Sequence, residues 1–193
     1  MPPQEALAAT VPVIEALVRL GVRYYVGGSL ASSAHGVPRS TLDADLVADL
    51  ALSQVPVLVA ELHPAYYIHE PAVRDAVLRK ASFNAIHLAT GFKVDVFVLK
   101  DRPYDLLAIE RRRQLPLDPD NPSTVFVASA EDTVLAKLEW YRLGDEVSER
   151  QWNDLVGVMK TQYDALDRHY LKRWAGELNV TDLLARAWQE VEQ

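Results

Sequence analysis

Apolar positions along "PPQEALAATVPVIEALVRLG" recur at helical spacing, at Leu7, Val11, Ile14, Leu17 and Leu20, between prolines at the start and Gly21 at the end. Helix termini favour those residues there, so an amphipathic helix is predicted, feeding the next strand. "VRYYVGG" is a short β-rich run, and Ser29 in "SLASSAHG" is placed to cap a short helix that Gly36 ends. "LDADLVADL" then alternates: Asp43, Asp45, Val47 and Asp49 share one strand parity, and Leu42, Ala44, Leu46 and Ala48 the other. Helices are expected over "LSQVPVLVAELH", despite Pro56, and over "EPAVRDAVLRK". "SFNAIHLAT" and "FKVDVFVLK" read as a hairpin turning around Gly91, "RPYDLLAIERRR" as a helix and "STVFVAS" as a strand.

From Ser129 onward the period is helical throughout. Ser129-x-x-Asp132 and Ser148-x-x-Gln151 have capping-box spacing and open two helices, and "LDRHYLKRWAGEL" and "VTDLLARAWQEVE" complete a helical tail. The expected organisation is an α+β fold: a region over 1–128 that mixes strands and helices, then a helical region over 129–193, divided where the period switches.

Composition narrows the function classes. With 49% hydrophobic and 24% charged residues in 193, the chain has an ordinary globular make-up. The net charge of −7 gives no global field for nucleic acid, although a local basic strip can still supply one. The absence of cysteine excludes disulfides, zinc-thiolate centres and a thiol nucleophile. No apolar run approaches membrane-spanning length and no signal peptide is evident, so a cytoplasmic location is expected.

Candidate chemistry concentrates in "VGGSLASSAHGVPRSTLDADL". Gly27-Gly28-Ser29 stands at a strand-to-helix junction, where glycine lets the backbone approach a ligand and the helix N-terminus favours an anion. A tight turn with a helix cap is the alternative. Asp43 and Asp45 lie on one face of a strand, a separation that suits Mg²⁺ bridging a polyphosphate, or else a plain polar strand face. In "FKVDVFV", Asp95 sits among Val94, Val96 and Val98 of opposite parity. A charge in so apolar a strand needs a partner, either a cation such as Lys93 or a shared metal.

The order Gly-Gly-Ser, thirteen residues, Asp-x-Asp, then a later hydrophobic-Asp-hydrophobic strand resembles the nucleotidyltransferase superfamily that includes DNA polymerase β and the antibiotic nucleotidyltransferases. Within it, the segment is most similar to the AbiEii-like bacterial group, whose members include toxins of toxin-antitoxin systems. The resemblance covers Val26 to Val98 by motif and the helical half by general architecture. It implies a mixed sheet flanked by helices, followed by a C-terminal helical bundle. It further implies Mg²⁺-dependent transfer of a nucleoside monophosphate from an NTP to an acceptor hydroxyl on tRNA, a protein or a small molecule, with a cognate antitoxin or other partner protein as a possible companion. Gly27, Gly28 and Ser29 would meet the triphosphate. Asp43, Asp45 and Asp95 would hold two Mg²⁺, with Asp95 activating the acceptor.

Arg39 can reach a phosphate or pair with Asp43 or Asp45. Lys137 either leans over the cleft to the triphosphate or snorkels to water, and Asp154 flanks its helix as a second candidate. His35 and His87 are assigned structural roles. The run Arg111 to Arg113 is the one basic feature able to touch an RNA backbone. The alternative function is a catalytically silent nucleotide- or partner-binding module of the same fold, which exposed aromatics on the helical tail would favour. An antibiotic-modifying transferase is a third reading and requires a strongly acidic acceptor pocket.

Overall fold

The computed structural model describes residues 3–118 and 121–193. Helix α1 (Pro3–Arg19) ends at Gly21, whose φ of +67° only glycine adopts without strain, and leads into β1 (Tyr24–Val26). Helix α2 (Gly28–His35) and β2 (Asp43–Ala48) follow, then a 3₁₀ turn at Leu52–Gln54, α3 (Val55–Leu62), β3 (Tyr66–Tyr67) and α4 (Glu70–Arg79). The hairpin β4 (Ser82–His87) and β5 (Lys93–Val98) precedes α5 (Pro103–Arg111), β6 (Arg113–Asp118) and β7 (Asn121–Val127). The chain closes with α6 (Ala130–Leu143), α7 (Glu149–Thr161), α8 (Arg168–Glu177) and α9 (Thr181–Val191).

Among the described residues, seven strands form one mixed sheet in the order β3-β4-β5-β2-β1-β7-β6, and the α+β expectation holds. Strands β2 and β5 run parallel and side by side, with Asp43 opposite Lys93, Asp45 opposite Asp95 and Val47 opposite Phe97. Both strands alternate strictly between half-buried and buried positions. Their apolar parity, Ala44, Leu46, Ala48, Val94, Val96 and Val98, belongs to a core shared with α1, α3 and α4. Hydrophobic burial thus fixes the register, and by fixing it forces all three aspartates onto the opposite face.

A second core gathers Leu135, Leu138, Trp152, Leu155, Met159 and Leu171 from the C-terminal helices, and α5 joins it through Tyr104 and Ala108. Helix α2 packs against α6 and α7. The approach is close enough that a Cβ on Gly36 would stand 2.9 Å from the backbone nitrogen of Val158. The helical tail therefore lies over the acidic face of the sheet.

Three details differ from the expected elements, and the tolerance of Pro56 agrees with them. Strand β3 is two residues long, too short for alternation to register. Strand β6 carries Pro116 and stands at the sheet edge, where a missing N–H is tolerated. Pro56 lies in the first turn of α3, where it does not interrupt the helix. Gly27, rather than Ser29, occupies the N-cap of α2, and Ser29 falls inside the first turn. Among the described residues, no helix is long and apolar enough to cross a membrane.

Candidate functional site

A cleft of about 450 Å³ opens between the acidic face of the sheet and the α6–α7 pair. Gly27, Gly28, Ser29, Arg39, Asp43, Asp45 and Lys137, separated by up to 110 positions in sequence, all line it. The eighth candidate, Asp95, stands beside Asp45 in the parallel register.

Gly28 and Asp45 interlock. Gly28 has φ +53°, and a Cβ placed on it would fall 1.7 Å from Asp45 Oδ2. No side chain fits at residue 28 while the carboxylate keeps its position. The Gly27 N–H donates to the Asp45 carbonyl at 2.8 Å, so the glycine turn and the aspartate strand are held together by backbone as well as by shape.

The acidic face carries more negative charge than its neighbours neutralise. Burial, with Asp43 and then Asp95 nearby, raises the Asp45 carboxyl to about 6, against the weaker opposing pull of Lys137 and Lys93. Asp43 accepts a hydrogen bond from Thr41 Oγ1 at 3.0 Å. Asp95 is satisfied locally: Lys93 Nζ lies 2.6 Å from its Oδ2 and Asn84 donates to its Oδ1. The sequence left Asp95 with a lysine or a metal as partner, and the fold places Lys93 there. Among the described residues, no three acidic or imidazole groups converge as a ready-made metal cage. Asp43 and Asp45 nevertheless fit a hard dication: two oxygen ligands on one face, one of them held reluctantly ionised, beside a cleft.

The opposite wall is cationic and is organised by Asp154. Its carboxylate accepts from Arg39 Nε at 2.7 Å and a second guanidinium nitrogen at 2.6 Å, and from Lys137 Nζ at 2.7 Å. Arg39 also donates to Ser29 Oγ at 2.5 Å. The carboxylate partner of Arg39 is therefore Asp154, rather than the Asp43 or Asp45 that the sequence offered as one alternative. Lys137 does not snorkel: it is 4% exposed, and burial lowers its pKa although Asp154 opposes the shift. Burial acts to raise the Asp154 carboxyl, but Arg39 and Lys137 outweigh it and hold the group below the usual carboxylate range. A single anion from the helical tail thus presents two cations beside the first turn of α2.

The far end of the cleft is built from residues that carry little local sequence signal. Arg102 forks onto Asp105 and Glu139, with contacts of 2.5, 2.6, 3.1 and 3.2 Å. Trp140, one turn beyond Lys137 on α6, is 52% exposed and meets the Phe97 ring edge-on at 5.6 Å. The sequence held one clue: Phe97 has the parity of Asp95 and so faces the same way. Trp152 and Trp174 are core residues and Trp188 packs against the core, so most of the tail's tryptophan is structural. In the basic run, Arg111 pairs with Glu131 at 3.1 Å and lies over Tyr170, which compensates its charge, whereas Arg112 lies over Phe126 and keeps its charge. His35 Nε2 contacts the Ala128 carbonyl at 2.7 Å and the His87 ring lies tilted against Tyr66, both structural.

No family model matches the chain, and no curated protein does. Its fold is similar to that of the antibiotic-resistance factor ANT(2'')-Ia in solution, with a TM-score of 0.59 at 14% identity over 98% of this chain and 96% of that one. It is also similar to an antigenic nucleotidyltransferase-like protein from Paracoccidioides brasiliensis, with a TM-score of 0.56 at 17% identity over 96% and 93%. A crystal structure of ANT(2'')-Ia in complex with adenylyl-2''-tobramycin matches with a TM-score of 0.54 at 12% identity over 90% and 96%. The fold is that of nucleotidyltransferases.

Proposed function

We propose that the cleft binds an NTP with Mg²⁺ and transfers the nucleoside monophosphate to an acceptor hydroxyl. The observation that carries this reading is the facing of two charge sets across one cleft: Asp43 and Asp45 on the sheet, and Arg39 and Lys137 clamped by Asp154 on the helical side. A polyphosphate chelating a dication has this same pairing of charges. Gly28 gives Asp45 its place, and the first turn of α2 offers backbone N–H groups to the phosphates, as Ser29 and Arg39 do with their side chains.

Bound Mg²⁺ would neutralise the developing charge at phosphorus and on the leaving pyrophosphate. Asp43 and Asp45 would hold it, a second ion taking Asp95 as a further ligand. Lys137, buried and fixed, keeps a positive charge beside the leaving group without rearrangement, which is the kind of preorganisation that lowers a phosphoryl-transfer barrier. Asp95 would accept the proton of the attacking hydroxyl once its oxygen is freed from Lys93. In this reading residues 1–128 form the catalytic region, and residues 129–193 close the cleft.

A second reading, a silent nucleotide-binding module, draws on the Lys93–Asp95 pair, which already neutralises the proposed third carboxylate. Turnover separates the two. Each α-labelled NTP, incubated with Mg²⁺ and total RNA and protein, should release pyrophosphate and leave label on an acceptor, and Asp43→Asn should abolish both. Pyrophosphate release that is equal in wild type and Asp43→Asn contradicts the transferase reading. NTP binding without any release favours the silent module.

A further inference from the structure

The nature of the acceptor follows from the charges left over at the far end of the cleft, provided that the transferase reading holds. Three carboxylates line that end, and none is free. Asp105 and Glu139 are both taken by the Arg102 fork. Asp132, 2% exposed, accepts from Ser129 Oγ at 2.7 Å and Tyr170 Oη at 2.6 Å. Two cations there are free: Lys100 and Arg150 line the cleft, are exposed, and make no ion pair among the described residues. The half-exposed Trp140 ring, set against Phe97, lines the same cleft.

A polycationic acceptor such as tobramycin needs unpaired carboxylates around its ammonium groups, and this end of the cleft offers it two uncompensated positive charges instead. Flat aromatic surface flanked by free lysine and arginine suits a base with phosphates attached. We propose that the acceptor is a phosphate-bearing nucleoside, its base on Trp140 and its phosphates toward Lys100 and Arg150, so that its hydroxyl points back to Asp95. In the transfer, the acceptor oxygen forms a bond to the α-phosphorus of the NTP, and the bond from that phosphorus to the bridging oxygen breaks. Pyrophosphate leaves with the electron pair, and the hydroxyl proton passes to Asp95. Two sources supply such an acceptor, the 3′ end of an RNA and a free nucleotide. The similarity of fold to an enzyme crystallised with adenylyl-tobramycin does not extend to its acceptor.

The test offers three acceptors to the full-length protein with Mg²⁺ and saturating α-labelled NTP: a short single-stranded RNA with a free 3′-hydroxyl, AMP and tobramycin. Label should pass to the RNA or to AMP, whichever is the source, and binding of the fluorescently tagged RNA should weaken with salt. The double variant Lys100→Glu/Arg150→Glu should lower transfer or RNA affinity about tenfold or more. Trp140→Ala should lower it about tenfold. All three positions are exposed, so unchanged circular dichroism serves as the folding control. Label on tobramycin, label on RNA or AMP that neither variant diminishes, or no binding and no label with either nucleotide acceptor overturns the inference. Calorimetric NTP binding in the same wild-type sample separates the two levels: intact donor binding with one of those results sinks the acceptor assignment alone.

Discussion

Replacing Asp45 with asparagine should make the metal-free protein more stable. The carboxyl rises from 3.8 to about 6 in the fold because it is buried beside Asp43 and Asp95. A shift of about two units corresponds to ~3 kcal/mol of differential stability at a pH above both values. The sign follows from proton binding: between pH 4 and 6 the folded state holds a proton that the unfolded state has released. Wild-type stability from this group is therefore fully present below about pH 4 and is lost as pH rises through about 6. Asparagine keeps the shape of the protonated acid and removes the loss. The shift already includes the attraction to Lys137 and Lys93, so the gain at pH 8 is about 3 kcal/mol, or roughly 6–12 °C in Tm for a chain of this size. Lys137 retains Asp154, so no buried charge is orphaned. Thermal unfolding of both proteins in EDTA at pH 5 and pH 8 measures the effect. The variant should exceed wild type at pH 8, and by about half as much at pH 5, and added Mg²⁺ with NTP should stabilise only wild type. A variant less stable than wild type at pH 8 in EDTA would refute the claim that Asp45 is held ionised at a cost.

Three other outcomes are expected. Magnesium-dependent NTP binding should fall below about pH 6, by up to about tenfold per pH unit, because a proton on Asp45 competes with the metal; titration calorimetry from pH 5 to 8 reads it. Asp154→Asn should destabilise the fold by about 3–5 kcal/mol in denaturant melts, since Lys137 is 4% exposed and loses its counter-charge, and NTP affinity should fall with it; unchanged stability would mean that Lys137 is solvated. Gly28→Ala should abolish metal-dependent NTP binding while the far-UV spectrum stays native, because the new Cβ takes the place of the Asp45 carboxylate; full binding in this variant would contradict the interlock.

What could be read from the sequence was whatever repeats within one element. Alternation in Asp43–Ala48 and Lys93–Val98 located both strands and put the three aspartates on one side of each, and the structure retains that parity. Ser129 and Ser148 marked helix starts through a local rule, and their hydroxyls accept from the backbone N–H groups of Asp132 and Gln151. Contacts between distant elements left no such trace. Arg39 and Asp154 are 115 positions apart, and only the packing of α2 on α7 brings them together. The Arg102 fork joins α6 to the start of α5 in the same way. Trp140 offered no cue, since a tryptophan at helical spacing looks alike whether it fills a core or faces a cleft. Edge strand β6 was hidden by Pro116 and by a basic run that reads as the end of the preceding helix.

The central claim is that the Gly27–Ser29 turn, the Asp43–Asp45 strand and the Arg39–Asp154–Lys137 cluster make one site for a metal-bound triphosphate. Calorimetric titration of the wild-type protein with each of the four NTPs, in Mg²⁺ and then in EDTA, tests it most directly. Binding of at least one NTP in Mg²⁺, lost in EDTA and lost again in Asp43→Asn, is the predicted result. A folded protein that binds none of the four in Mg²⁺, or binds one equally well in EDTA, would contradict the account and leave the two charge sets as an ion-pair network that holds the helical tail on the sheet.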